Sequence, residues 1–185
     1  FAAAEVEVRI KDITSDVGVP TIAAASDDLK LKDPALLTIG MGTHTSAEVA
    51  ILRALTEVAQ SRLTQIHGAR EDTTTADFRR QIGYERTKRL NRHWFSETDM
   101  RPFGEIESQD SEDFLDDINL MLKRLEGAGM DRAIVVDLTR EEIGVPVVRV
   151  LVPGLEMSAM DQERRGKRWR DEIKRYRRLS RAQPR

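Results

Sequence analysis

The stretch that most constrains this chain is GTHTSAEVAILRALTEVAQSRL, residues 42–63. At about 100° per residue, Ile51, Leu52, Leu55, Val58, Ala59, Leu63 and Ile66 fall on one face of a helix. Arg53, Glu57, Gln60 and Thr64 form a narrow polar stripe opposite them. Ala50, Ala54 and Ser61 flank that stripe, and their small side chains let another group approach closely. Arg62 breaks the pattern by projecting from the middle of the apolar face. A guanidinium there requires a carboxylate, a phosphate or carbonyls, because a buried unpaired charge is very costly. Thr45-Ser46-Ala47-Glu48 fits a capping box, in which a hydroxyl accepts from the helix start and Glu48 reaches back.

The 185 residues suffice for one domain with a substantial core or two small ones. Apolar content of 39% and charged content of 34% describe a polar, soluble globular protein, and no apolar run approaches the roughly 20 residues of a membrane span. Without cysteine there are no disulfides and no thiolate metal sites. The start, FAAAEVEVRIKDI, has neither the basic segment nor the apolar core of a secretory signal, so a cytoplasmic location is expected. It lacks an initiator Met and opens directly into a strand-like pattern, as a piece of a longer protein would. The total charge of −2 is unevenly spread. Residues 161–185 hold eleven Lys/Arg against four Asp/Glu, a net of +7, leaving −9 on residues 1–160. Such a basic end suits anions, nucleic acid or an acidic partner. Equally, acids interleave with the bases, and Trp169, Ile173 and Tyr176 recur at the spacing of a solvated amphipathic helix.

Along the chain, Val6, Val8 and Ile10 alternate with Glu5, Glu7 and Arg9, predicting a half-buried strand over 4–10. After a turn at Asp16–Pro20, TIAAAS reads as a more buried strand, followed by a polar loop over Asp27–Pro34 and a short strand around Leu36–Gly40. A helix over Asp77–Arg92 is weakened by Gly83, and 91–111 reads as a loop. Ser111-Glu112-Asp113 opens an amphipathic helix that Gly127 and Gly129 stop. AIVVDLT and VPVVRVLVP read as central strands. A last helix is expected from Met160 to Leu179. The order β-β-β-α-loop-α-β-β-α predicts an α/β (α+β) fold, a mixed sheet flanked by helices.

No Walker-type loop and no Gly-x-Gly-x-x-Gly after a strand is present. Gly40-Met41-Gly42-Thr43-His44 precedes a helix start and suits either an anion site or a tight strand-to-helix turn. His44, His67 and His93 lack zinc spacing. Glu57 and Gln60, one turn apart, suit a Mg²⁺-bound nucleotide or its hydroxyls, and Arg62 suits a phosphate. The alternative is an Arg53–Glu57 i,i+4 ion pair with Arg62 bound to a core carboxylate. Arg70, in Gly68-Ala69-Arg70-Glu71-Asp72, is a further cation or simply part of a charged loop.

The block GMGTHTSAEVAILRALTEVAQSRLTQIHGARED resembles the late block of YcaO-domain proteins: Gly-x-Gly-x-His, then Ala-x-x-Arg-Ala-Leu-Thr-Glu-x-x-Gln-x-Arg-Leu. Asp12–Pro20 resembles the strand-turn-strand that precedes it, and Val145–Glu156 resembles a strand near that family's C-terminal end. The three blocks cover nearly all of residues 4–157, and the flavour is closest to the subgroup associated with TfuA proteins. The proline-rich tail of azoline-forming members is absent. On this resemblance residues 1–160 are the C-terminal portion of a YcaO-type domain, followed by a basic helix over 161–185.

The resemblance implies an ATP- and Mg²⁺-dependent enzyme that activates a peptide-backbone amide by phosphorylating its oxygen. A side-chain nucleophile would then give an azoline, and a sulfur donor a thioamide. Carried across, Arg62 is implied as a phosphate contact and Glu57 and Gln60 as nucleotide or Mg²⁺ contacts. Arg53 would support Glu57, and Arg70 is a further candidate. The family's main ATP-binding helix, with its Glu-x-x-Glu-Arg ending, has no counterpart here, so the chain alone is expected to be inactive. Implied partners are a peptide or protein substrate and a TfuA-like protein; exposed apolar surface on a truncated domain adds a second copy of the chain as an expectation, and no membrane partner is expected. The competing readings are a non-catalytic peptide- or partner-binding scaffold and, less favoured, a nucleic-acid binder using the basic tail, whose affinity would fall steeply with salt.

Overall fold

The alternating start of the chain forms strand β1 (Val6–Asp12), which pairs antiparallel with β2 (Thr21–Asp28); β2 in turn pairs antiparallel with β3 (Ile39–Thr43). In this computed structural model residues 1–68, 74–97, 100–156 and 166–182 are described. They fall into two units, Phe1–Arg124 and Leu125–Arg185.

In the first unit the sheet order is β1-β2-β3, and the central β2 is buried from Ile22 through Asp28. The third strand lies further along than the sequence suggests. Asp33 accepts the N–H of Ala35 at 2.8 Å and Pro34 opens a 3-10 turn over Pro34–Leu36, so Leu36 turns rather than extends. Gly40-Met41-Gly42 is therefore strand, not an anion-binding turn. Both glycines face helix α1 (Ala47–His67) at very short range. A Cβ on Gly40 would lie 2.4 Å from the Ala54 carbonyl oxygen, and one on Gly42 would lie 2.2 Å from that of Ala50. Backbone meets backbone there, and only glycine fits.

That contact decides which face of α1 is inside. Ala50, Ala54 and Val58 are fully buried and pack with Ile22 and Ala24, while Ile51 and Leu55 are partly buried. Leu52, Leu63 and Ile66, expected on the apolar face, are more than half exposed. The small residues are the buried ones because they let β3 come close; bulkier side chains on that face would hold the layers apart. The capping box does not form either, since the Ser46 side chain makes no cap bond. Instead the N–H of Ser46 donates to His44 Nδ1 at 2.9 Å and the N–H of Ala47 donates to Ser108 Oγ at 2.9 Å. Thr45 Oγ1 donates to Asp117 Oδ2 at 3.0 Å.

The helix expected over Asp77–Arg92 is broken where Gly83 adopts φ 80°, giving α2 (Thr74–Ile82) and α3 (Tyr84–Leu90). A short α4 (Arg92–Phe95) and a 3-10 turn at Phe103–Glu105 occupy the expected loop. Helix α5 (Phe114–Gly127) ends before Gly129, whose φ is 82°. In the second unit β4 (Ile134–Asp137) and β5 (Val148–Leu151) pair antiparallel, and α6 runs over Lys167–Ala182. All eight residues of β4 and β5 are exposed, and among the described residues they pair only with each other, so these runs are strands but not central ones here. The fold is thus α/β of the α+β kind, with antiparallel sheets and flanking helices. Among the described residues no helix is long and apolar enough to cross a membrane.

Gly42→Ala is expected to destabilise the first unit by about 3 kcal/mol, at the upper end for overpacking against rigid neighbours. Gly104→Ala, where nothing lies within 4 Å of the added carbon, serves as the control. Urea midpoints measure both, and a Gly42→Ala cost below about 0.5 kcal/mol would show that β3 is not held against α1.

Candidate functional site

The close packing of β3 on α1 places one polar stripe of the helix beside an edge strand. The N–H of Ser26 bonds the Thr38 carbonyl at 2.9 Å, so by antiparallel alternation Gly40 and Gly42 bond β2, and the backbone groups of Met41 point outward. The Met41 N–H is taken by Glu57 Oε2 at 2.6 Å. Glu57 is exposed, and with one oxygen committed to the strand its other oxygen remains open to solvent. Arg53 and Gln60 are exposed on the same stripe. Among the described residues neither side chain makes a hydrogen bond or ion pair. The expected Arg53–Glu57 contact is therefore not formed, because the carboxylate caps β3 instead. Thr64 turns back on its own helix, with Oγ1 donating to the Gln60 carbonyl at 3.0 Å.

Arg62 lies inside, on a different flank of α1. Its Nη2 pairs with Asp28 Oδ2 at the end of β2, and the two side chains are 16% and 3% exposed. This is the core carboxylate that a guanidinium on the apolar face requires. The other oxygen of Asp28 accepts the N–H of Leu31 at 2.8 Å and of Lys30 at 3.1 Å, which fixes the carboxylate. Burial pushes the Asp28 carboxyl up, but the Leu31 N–H, the Arg62 guanidinium and the Lys30 N–H outweigh it and hold it below the ordinary carboxylate value. Arg62 Nη1 is buried with no hydrogen-bond partner among the described residues. Arg70 lies outside the described residues.

Asp27 begins the stretch that the sequence suggests is a polar loop. It is instead buried on β2, where it accepts from Tyr84 Oη at 2.6 Å and pairs with Lys88 Nζ at 2.5 Å. Burial and the neighbouring carboxylate push the Tyr84 phenol up to about 12. The bond to Asp27 raises the Lys88 ammonium against the opposing effect of burial. The sequence signal was there: two adjacent acids ending an apolar run must find cations, and α3 supplies one. Among the described residues no cluster of three His, Cys, Asp or Glu suits a metal ion. A magnesium ion held by one carboxylate, phosphates and water needs no such cluster, and the open oxygen of Glu57 fits that mode.

The family model described as YcaO cyclodehydratase, ATP- and Mg²⁺-binding, matches residues 1–156. The chain belongs to the YcaO family. It is 56% identical over 174 residues to an uncharacterized protein of Methanothermobacter thermautotrophicus, a match covering 94% of this chain and 45% of that protein. It is 30% identical over 164 residues to an uncharacterized protein in the tfuA 3′ region of Rhizobium leguminosarum bv. trifolii, covering 86% and 39%. The solved YcaO from Methanopyrus kandleri, bound with AMPPCP and Mg²⁺, superposes with a TM-score of 0.74 at 31% identity, covering 87% of this chain and 42% of that one. The chain thus spans less than half the length of the curated relatives it matches, and the α/β fold and the family expected from the three sequence blocks are both present.

Asp28→Asn is expected to cost about 3 kcal/mol, because it leaves the Arg62 charge buried without its counter-ion. Since the folded carboxyl titrates below its unfolded value of 3.8, the stability this pair contributes is present above about pH 4 and is lost as pH falls through the lower folded value. Denaturant titrations from pH 3 to 7 check this: the difference between wild type and Asp28→Asn should shrink on acidification. A difference independent of pH would contradict it.

Proposed function

We propose that this chain forms one wall of the nucleotide cleft of an ATP- and Mg²⁺-dependent YcaO enzyme that activates a peptide-backbone amide. ATP with Mg²⁺ supplies the phosphoryl group that turns the amide oxygen into a leaving group. The chain's own residues position and neutralise it. Glu57, held by the Met41 N–H, offers its open oxygen to a metal ion, and Gln60, one turn on, reaches a nucleotide hydroxyl or phosphate. Arg53 supplies positive charge on the same stripe. Arg62 contributes its uncommitted Nη1 to a phosphate while Asp28 holds the rest of the guanidinium, and Arg70 is a further phosphate candidate. The observation that carries the reading is the exposed Arg53–Gln60 stripe beside Glu57, without side-chain partners among the described residues, on a helix that the family block identifies.

The finer assignment is thioamidation with a TfuA-like partner, supported by the relative in a tfuA 3′ region. Azoline formation by a substrate side chain is the alternative within the same chemistry. A scaffold role for the second unit is favoured by one observation, the apolar ribbon of β4 and β5 that is exposed throughout. By itself the 185-residue chain provides only one wall, so isothermal titration with Mg-ATP is expected to give no micromolar binding; micromolar affinity would contradict this. Within a full-length YcaO polypeptide, Arg62→Ala is expected to lower ATP consumption at least about hundredfold. Unchanged ATP consumption would overturn the nucleotide reading.

A further inference from the structure

The basic end of the chain folds as helix α6, whose faces differ in character. Trp169 and Ile173 are half-buried. The start of the helix is tied to the rest of the second unit: the N–H of Gly166 donates to Glu156 Oε2 at 3.0 Å, and Arg168 Nη1 donates to the Ala128 carbonyl at 3.0 Å. At about 100° per residue, Lys167, Arg170, Lys174, Arg177 and Arg178 fall within a separate arc about 100° wide. All five are exposed, and no acidic, aromatic or aliphatic residue of Lys167–Arg178 shares that arc.

The acids of the second unit are too few to neutralise the arc. Both acids of the helix are committed, Asp171 at 3.6 Å from Lys174 and Glu172 at 3.2 Å from Arg175. Lys167, Arg170, Arg177 and Arg178 make no ion pair among the described residues. Residues 157–165 hold Asp161 and Glu163 against Arg164 and Arg165, for no net charge, so they bring no surplus of acid to the helix. Residues 125–185 as a whole hold fourteen Lys/Arg against ten Asp/Glu, a net of +4. Like charges three and four residues apart oppose a helix, so an anionic partner stabilises this one.

We infer that α6 is a docking ridge for the phosphate backbone of duplex DNA. A protein partner, even an acidic one, needs apolar or aromatic anchors at the core of its interface, and the arc offers only long cations. A membrane surface takes up the apolar side of a helix, which is the half-buried side here. Phosphates need neither, only cations along a line. With no aromatic on the arc to stack on bases, binding runs through the backbone and is independent of sequence. Lys167 and Arg178 stand about 16 Å apart along the helix axis. A single helix of that kind fits the B-form major groove, about 12 Å wide, whereas the deep, narrow groove of duplex RNA excludes it. The inference goes beyond the nucleotide reading and does not depend on it.

Fluorescence anisotropy of a labelled 20-base-pair DNA duplex with the full chain tests it. Binding measured upward from 50 mM salt should fall with a slope of about −3.6 in log K against log salt, about 0.9 for each phosphate met by the four unpaired cations. Arg170→Gln with Arg177→Gln, which preserves helix propensity, should weaken binding at least tenfold and make the slope shallower by about 2. Arg170→Lys with Arg177→Lys should bind as the unaltered chain does, and Arg140→Gln, elsewhere on the second unit, should stay within twofold. Circular dichroism verifies that each variant keeps its helix content. A duplex of scrambled sequence should bind equally, and duplex RNA at least tenfold more weakly. No binding at 50 mM salt, a slope shallower than about −1, an equal loss in Arg140→Gln or equal affinity for duplex RNA would overturn the inference. So would polyglutamate or phosphatidylserine vesicles displacing the duplex more readily than unlabelled DNA does, because the ridge would then serve an acidic protein or a membrane.

Discussion

The first unit depends on one short-range contact, the backbone of β3 pressed against the backbone of α1 through Gly40, Gly42, Ala50 and Ala54. Dispersion and burial reward such proximity only when no Cβ intervenes, so two glycines on the strand and two alanines on the helix are complementary halves of one interface. The consequences run outward from it. The buried face of α1 is its small-residue face, the larger Leu52, Leu63 and Ile66 are displaced toward solvent, and Glu57 is brought within hydrogen-bonding distance of an edge-strand amide. The polar stripe is therefore held on a rigid element at a fixed distance from the sheet.

Charge burial is the second constraint. Asp27 and Asp28 end the most buried strand, and each is balanced by a cation from a helix, Lys88 of α3 and Arg62 of α1. These pairs tie two helices to one strand end, and each charge is costly to leave unpaired. Arg62 is thus structural, and among the described residues its buried Nη1 has no hydrogen-bond partner.

The sequence made part of this legible. The 3.6-residue period announced α1, the β-branched runs announced β4 and β5, and Arg62 announced that a carboxylate, a phosphate or carbonyls must come to it. Which carboxylate was beyond reach, because Asp28 is 34 residues away and only the sheet brings it near. The inward face of α1 was misread because hydrophobicity ranks leucine above alanine, whereas the separation of the layers favours alanine. The capping box looked complete in the local sequence but lost to Ser108, 61 residues away. Strand type followed from composition; exposure did not, since among the described residues β4 and β5 pair only with each other. In the sequence Gly40-Met41-Gly42 suits an anion site or a tight strand-to-helix turn, while the use of both glycines in the fold is the missing Cβ. At the level of family, three sequence blocks in order were enough.

The central claim is that the Arg53–Arg62 stretch of α1 faces a metal–nucleotide complex. Paramagnetic broadening of amide NMR signals by Mn²⁺ with AMPPCP at millimolar concentration tests it directly, because broadening reports proximity even when binding is weak. The account predicts that signals of residues 53–62 and of Met41 broaden first, while those of Ile134–Leu151 persist. Broadening centred elsewhere, or spread evenly over the chain, would contradict it.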